Sequence, residues 1–254
     1  MTELPGLTKG QERRYRRQLG IPEIGVEGQI RLGKATALIV GLGGLGSVSS
    51  SYLAAAGVGC LRIVDHDRIS LDNLNRQLLH STPDLNRPKS DSAAEKLRRL
   101  NPECRIEPLC ARLGEDNGFD VAEGCNLIVD ATDNLASRHL LNRISLARRI
   151  PLLYGGVKGW NGTAATFVPG KTCCFACMVP SGVQETTATG LPVLGPAAGV
   201  IGSIQSMEAI RILLGLRPSL AGHLLKLQGD EMRFRTVHVK RDPACPQCGV
   251  SSGD

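Results

Sequence analysis

Aromatic side chains are scarce in this chain of 254 residues: four Phe, three Tyr and one Trp make up 3% of it. Platforms that stack nucleic-acid bases on aromatic rings are therefore not expected, and nucleic acid is not expected as a partner. Long apolar runs are also missing. One long uncharged stretch, Thr186–Met207, is interrupted by Gly190, Pro192, Gly195, Pro196, Gly199 and Gly202. It reads as a loop entering a helix, not as a membrane span. The first residues, Met1-Thr-Glu-Leu-Pro5, lack the basic-then-apolar order of a secretory signal, so a cytoplasmic protein is expected. There is no internal repeat and no low-complexity linker. A balance of 42% hydrophobic and 21% charged residues excludes wholesale disorder. A chain of this length buries a core without disulfides. Its nine cysteines, in a cytosolic setting, point to metal or thiol chemistry instead. The net charge of +6 admits an anionic ligand.

What is present is an alternation of short apolar runs with helical periodicity. Residues 8–20 read as a short helix capped by Thr8, with Arg13, Arg14, Arg16 and Arg17 as a solvated basic face. Thr36–Val40, Leu61–Asp65, Leu127–Asp130 and Pro151–Gly155 read as strands, with helices near 47–56, 88–100 and 134–148. Pro88 suits a first helical position. Strands alternating with helices imply a Rossmann-like, doubly wound, mostly parallel α/β sheet. Further on, Thr163–Val168 reads as an added strand and Ser203–Leu214 as a helix. Leu224–Gln228 and Met232–Val239 read as a hairpin around Gly229-Asp230. The second half therefore extends the sheet with antiparallel strands. No convincing boundary interrupts residues 1–254, which are expected to form one domain. Within it, 1–30 are expected to form a helical arm, 31–160 a nucleotide-binding half, and 161–254 a second half carrying the metal site.

Gly41, Gly43 and Gly46 match G-x-G-x-x-G between a strand and a helix, the arrangement that brings a phosphate to backbone and helix N-terminus. Asp65 follows 19 residues after Gly46, where a ribose-binding carboxylate belongs. By itself this indicates a nucleotide, with a nicotinamide dehydrogenase as the default. Two near-matches to a P-loop fail: Gly28-x4-Gly33-Lys34 continues into Ala35, and Gly170-Lys171-Thr172 has Ala165 in place of the first Gly. The polar content that follows shifts the balance. Asn73, Asn75, Arg76, Gln77 and Lys89 succeed Asp65-His-Asp67. A dehydrogenase needs no Arg and Lys aimed at the phosphates, whereas a reaction at a phosphate does. Asp130-Ala-Thr-Asp133-Asn134 ends the fourth strand, at the sheet edge where ligands bind. A carboxylate there can hold Mg²⁺ between phosphates. The bland alternatives are a helix N-cap for Asp133, Asp130 or Thr132, and surface ion pairs for Arg76 and Lys89.

Cys174-x2-Cys177 and Cys245-x2-Cys248 are two knuckle pairs separated by 67 residues. Together they supply four thiolates for a closed, structural Zn²⁺ site that ties the C-terminal region to the middle of the chain. Cys173 is an alternative to Cys174, but the spacing favours Cys174. Cys60, Cys104, Cys110 and Cys125 read as buried packing residues. None of the histidines shows ligand spacing.

Gly41-Leu-Gly-Gly-Leu-Gly46, Asp65-x-Asp67, Asn73-Leu-Asn-Arg-Gln77, Pro88-Lys89, Asp130-Ala-Thr-Asp133-Asn134 and the paired cysteines together resemble the ubiquitin-activating-like adenylyltransferases, the family of MoeB, ThiF and HesA. The resemblance runs from about Arg13 to Cys248. It implies MgATP and a small ubiquitin-like sulfur-carrier protein ending in Gly-Gly. The carrier's carboxylate attacks the α-phosphate, pyrophosphate leaves, and the acyl-adenylate later receives sulfur for molybdopterin or thiamine-thiazole synthesis. The resemblance also implies that Gly43, Gly44, Asp65, Asn73, Arg76, Lys89 and Asp133 bind the nucleotide. Arg76 and Lys89 contact phosphates, and Asp133 holds Mg²⁺. Arg17 matches an arginine delivered to the partner subunit's ATP site, so Arg17, Arg76, Lys89 and Asp133 are the expected catalytic set and a homodimer is expected. A small-molecule carboxylate in place of the carrier is left open. One departure stands out: no cysteine occurs between Cys177 and Cys245, so a covalent carrier–enzyme step is not expected. The length leaves no room for an appended rhodanese-type domain, so a separate sulfur donor is expected.

Overall fold

The computed structural model describes residues 6–180, 182–183 and 192–249. Most of the segment Val183–Gly195, expected from the sequence to guide a carrier's tail, lies outside the described residues. The chain opens with three helices: α1 (Lys9–Arg14), α2 (Arg16–Leu19) and α3 (Gly25–Lys34). Thr8 does cap α1, in a capping box with Gln11. The single helix expected over 8–20 breaks at Tyr15, however. Tyr15 is buried, takes a hydrogen bond from Asn101 Nδ2 at 2.9 Å, and is pulled out of helical register.

Then follow β1 (Thr36–Val40), α4 (Gly44–Ala55), β2 (Cys60–Val64), α5 (Lys89–Leu100), β3 (Arg105–Leu109), α6 (Gly118–Val121), β4 (Leu127–Asp130), α7 (Leu135–Arg148) and β5 (Leu152–Lys158). The last elements are β6 (Asn161–Phe167), α8 (Phe175–Met178), α9 (Gly195–Leu213), β7 (His223–Gln228) and β8 (Arg233–His238). The strands form one eight-stranded sheet in the order β3-β2-β1-β4-β5-β6-β7-β8. The first five are parallel, and β6, β7 and β8 are antiparallel. Pro88 is the N-cap of α5 and not its first helical residue. Helix α9 begins eight residues before Ser203, with Pro196 in its first turn.

The strand alternation divides the core. Ala37, Ile39, Leu61, Ile63, Leu127 and Val129 face one side, under α3, α4, α5 and α9. Leu38, Val40, Val64, Ile128 and Leu152 face the other, under α6, α7 and α8. Each fully buried aliphatic contributes about 1.5–3 kcal/mol by leaving water. The strand order reverses between β1 and β4, which opens a crevice at their carboxyl ends. Beyond that edge, β5 continues: Asp130, the last residue of β4, pairs with Tyr154, and Gly155–Lys158 project past it. This overhang, about 13 Å at strand rise, forms a wall beside the crevice.

Candidate active site

Val40 ends β1 and the chain turns at Gly41, whose φ is 92°. A Cβ on Gly41 would lie 2.5 Å from Ala131 O, and one on Gly46 would collide with Gly41 O. Both positions therefore need glycine to bring α4 against the strand end. Gly43 is the N-cap of α4. No side chain caps this end and no acid lies in its first turn. The positive end of the helix and its backbone N–H groups are thus left for an anion. Gly44 serves packing as well, since a Cβ there would meet Ala198 of α9 at 2.9 Å.

Leu42 is gripped at both ends. Its N–H donates to Asp65 Oδ2 at 2.7 Å, while Asp65 Oδ1 accepts the Asp67 N–H at 2.8 Å. Each carboxylate oxygen keeps a further lone pair for a ligand hydroxyl. Burial pushes the Asp65 carboxyl above its ordinary value, against the pull of Lys89 and the two N–H groups. His80 Nε2 donates to Leu42 O at 3.3 Å, and its Nδ1 lies 3.1 Å from Ser92 Oγ. Burial holds His80 down to about 4, so it is a neutral brace.

Lys89 Nζ lies 2.8 Å from Asp67 Oδ2, with the lysine side chain only 7% exposed. The ion pair expected at the surface is therefore half buried. Burial raises Asp67, but the Lys89 hydrogen bond and charge outweigh it and hold that carboxyl low. Arg76 has no ion-pair partner among the described residues. Its Nη1 donates to Asp72 O at 2.7 Å and Asn75 Oδ1 at 3.1 Å, and its Cγ would be 3.7 Å from a Cβ on Gly44. The guanidinium is thus oriented by neutral acceptors, and the stem of the side chain lies beside the glycine loop. Asn73 is engaged locally, its Oδ1 accepting the Ser70 N–H at 3.4 Å. Gln77, noticed in the sequence only as part of a polar stretch, is buried 3.7 Å from the Cβ position of Gly43. Its Oε1 and the buried Ser90 Oγ lack hydrogen-bond partners among the described residues. Orphaned polar atoms, an uncapped helix and two cations fit a polyphosphate.

The loop after β4 packs on Gly41 through Ala131. Asp130 is fully buried. Its Oδ1 accepts the Thr132 N–H at 3.0 Å and the Thr132 hydroxyl at 2.7 Å. Its Oδ2 has no hydrogen bond and faces Arg138 Nε at 3.9 Å. Burial pushes Asp130 up, opposed by Arg138 and Thr132. Arg138 Nη2 donates to Thr132 O at 2.9 Å, and the guanidinium lies 5.1 Å from the Tyr154 ring centre. Asn134, and none of the three candidates named from the sequence, caps α7 by accepting the Ser137 N–H at 2.9 Å. That leaves the exposed Asp133 carboxylate with one long contact, 3.4 Å from Asn134 Nδ2, among the described residues. An available hard oxygen on the loop that packs against Gly41 fits Mg²⁺.

Arg17 is not brought to this crevice. The neighbouring Gln18 bonds to Ala56 O, beyond the C-terminal end of α4, about 18 Å along that helix from Gly43.

Cys174, Cys177, Cys245 and Cys248 converge, with their sulfurs all within 4.8 Å of one another. Separations of 3.9, 3.7 and 3.4 Å bracket the edge of about 3.8 Å for a tetrahedron with Zn–S near 2.3 Å. The donor set fits zinc, with no position left for a substrate. Cys173 stands outside the group, its thiol pushed up by burial to about 11. Cys110 is exposed, contrary to the packing role expected of it, whereas Cys60, Cys104 and Cys125 are buried. Asn142 of α7 joins the centre to the core, donating to Gln247 Oε1 at 2.6 Å and accepting the Phe175 N–H at 2.8 Å.

Comparison with known proteins agrees with this geometry. The family model described as the ThiF family matches residues 15–247. The chain is 40% identical over 246 residues to the SAMP-activating enzyme E1 of Haloferax volcanii, covering 95% of this chain and 90% of that protein. It is 38% identical over 251 residues to the sulfur carrier protein adenylyltransferase of Thermus thermophilus, covering 95% and 92%. Among solved structures, Escherichia coli MccB with ATP has the same fold: TM-score 0.83 and 22% identity, over 93% of this chain and 75% of that one.

Proposed function

The chain belongs to the ThiF family and is an adenylyltransferase of the ubiquitin-activating-like type; from that premise we propose that it activates the C-terminal glycine carboxylate of a small ubiquitin-like sulfur-carrier protein. A carboxylate oxygen of the carrier forms a bond to the α-phosphorus of ATP, the bond from that phosphorus to the bridging oxygen breaks, and pyrophosphate leaves with its electron pair. The observation that carries this reading is a single crevice at the carboxyl ends of β1 and β4. What supports it there is the uncapped N-terminus of α4, with Arg76 beside Gly44, Lys89 paired to Asp67, whose N–H is held by Asp65, and Asp133 on the loop that packs on Gly41 through Ala131.

The attacking carboxylate is ionised at neutral pH, so no general base is required. The residues position and neutralise. Gly43 and Gly44 lie against the phosphates, Asp65 holds the ribose, and Asn73 shapes the segment that carries Arg76. Arg76 and Lys89 meet the phosphoryl oxygens, for which Lys89 exchanges Asp67. Asp133 would hold Mg²⁺, which when bound draws charge from the phosphates. Arg17 reaches the equivalent crevice of a second copy in a homodimer. The four cysteines would hold a structural zinc ion. Residues 31–160 serve the nucleotide and 161–254 the carrier. The activated carrier then receives sulfur from a separate protein, for molybdopterin or thiamine-thiazole synthesis. No helix among the described residues is long and apolar enough to cross a membrane.

The test is exchange of labelled pyrophosphate into ATP across a panel of Gly-Gly-ended ubiquitin-fold proteins. Exchange dependent on one carrier is expected and identifies the pathway. Exchange dependent only on small carboxylic acids would overturn the carrier as substrate.

A further inference from the structure

Helix α9 covers one face of the antiparallel half of the sheet. Ile201 lies over Gly162, and Leu225 and Leu227 of β7 pack in the same cluster. Alternation along β7 puts His223, its first residue, on that face as well. The ladder sets His223 directly across from His238, the last residue of β8. The two rings thus stand at the open end of the hairpin, away from its Gly229-Asp230 turn. Val239 N–H donates to Gly222 O at 2.9 Å. That bond makes His223–His238 the narrow, non-hydrogen-bonded kind of antiparallel pair, whose side chains come closest. The ring centres lie 5.2 Å apart. No sequence spacing marks the pair; the ladder register creates it.

An edge-to-face ring contact has this spacing, and so does a shared ion. With metal–nitrogen bonds near 2.1 Å, each ring centre stands about 3.2 Å from the ion, and a tetrahedral angle then separates the two centres by about 5.2 Å. The hydrogen bonding favours the ion. His223 Nδ1 lies 3.0 Å from Ala221 O. A carbonyl oxygen only accepts, so Nδ1 carries the proton and Nε2 keeps a bare lone pair. A backbone carbonyl fixes metal-ligating imidazoles in this same way. The exposed His238 ring has His223 as its ring partner and makes no side-chain hydrogen bond among the described residues. Two imidazoles suit zinc, copper and nickel, whereas Mg²⁺ and Ca²⁺ take oxygen donors. We propose that His223 and His238 form a further metal site, an open two-imidazole site for a borderline divalent transition-metal ion such as Zn²⁺. No third Cys, His, Asp or Glu joins the pair in a larger group among the described residues. The ion therefore keeps water in its other positions and is held more weakly than one bound by four thiolates. It fastens β8, an edge strand that pairs with β7 alone and whose every residue is exposed. The fastening lies where the chain leaves the sheet for Cys245 and Cys248.

The experiment titrates Zn²⁺ into the full chain, its four-cysteine centre loaded beforehand, and follows heat and histidine ¹⁵N shifts. One additional equivalent is expected, with His223 Nε2 as the nitrogen that shifts. His238→Gln, at an exposed position, and separately His223→Gln are each expected to weaken that equivalent at least about tenfold. At a Zn²⁺ concentration about ten times the Kd, amide exchange at Val239 is expected to slow about tenfold in the parent chain and to stay unchanged in His238→Gln. No additional equivalent, or one that both variants keep, overturns the site. An equivalent lost in His66→Gln and kept in His238→Gln would place the ion at Asp65-His66-Asp67, whose donor atoms also lie together, and would overturn it too. Protection at Val239 that falls in His238→Gln equally with and without Zn²⁺ would show that the rings only stack, with the same consequence.

Discussion

Replacing Arg138 by Met leaves a carboxylate stranded in the core. Asp130 is fully buried, and its Oδ2 has no hydrogen bond, so Arg138 at 3.9 Å is its nearest compensation. Removing one partner of a buried pair costs about 3–5 kcal/mol. The long separation and the 14% exposure of Arg138 place this case near the lower end, about 3 kcal/mol. For a chain of this size that corresponds to a fall in Tm of about 6–12 °C. The pH dependence carries a sign. Burial already lifts Asp130 above the unfolded carboxyl, and loss of Arg138 lifts it further. Between the unfolded and folded values the native state holds a proton that the unfolded chain has released, so stability falls as pH rises through that window. The deficit of the variant should therefore shrink between about pH 8 and about pH 5. The double variant Asp130→Asn/Arg138→Met should recover more than half of it. Thermal and urea unfolding at both pH values decide the matter. A deficit independent of pH, with no recovery in the double variant, would refute the reasoning.

Asp133→Asn should lower pyrophosphate exchange at least about 100-fold while leaving Tm unchanged, because the side chain is exposed; full exchange would remove Asp133 from the metal role. Chelation, or Cys245→Ser, should release zinc in about a one-to-one ratio and lower Tm together; loss of zinc without loss of stability would contradict a structural centre. His80, held at about 4 against 6.5 unfolded, binds fewer protons in the native state across that interval. Stability should therefore fall as pH drops from 6.5 to 4, and His80→Gln should flatten the slope in urea titrations.

The sheet was legible where strands are short apolar runs closed by a polar residue or glycine: Thr36–Val40 and Leu127–Asp130 match residue for residue. The strand Arg105–Leu109 was not, because it lies at the edge, mixes charge with apolar residues and contains Pro108, which cannot donate to a ladder. The first turns of α9 were hidden by glycine. Gly202 is there because a Cβ would strike Leu45 O at 2.8 Å, a contact that no local pattern encodes. The cysteine centre was legible from spacing alone, since two knuckles impose the same local geometry wherever they lie. In the crevice, the strand-end motifs marked the location, but local rules could not choose the cap within Asp130-Ala-Thr-Asp-Asn134. The braces from His80, Asp67 and Arg138 arise from residues 38, 22 and 6 positions from their partners. Such contacts are set by the packed fold, not by its segments.

The central claim is attack by a carboxylate on the α-phosphorus, and oxygen labelling tests it most directly. A carrier with an ¹⁸O-labelled C-terminal carboxylate would be incubated with the enzyme, MgATP and pyrophosphatase, and its adduct hydrolysed at the acyl carbon. The account predicts AMP bearing one ¹⁸O, with unlabelled phosphate, from pyrophosphate cleaved by the pyrophosphatase, as the other product. ADP and phosphate, with the label in the phosphate, would show attack at the γ-phosphorus and contradict it.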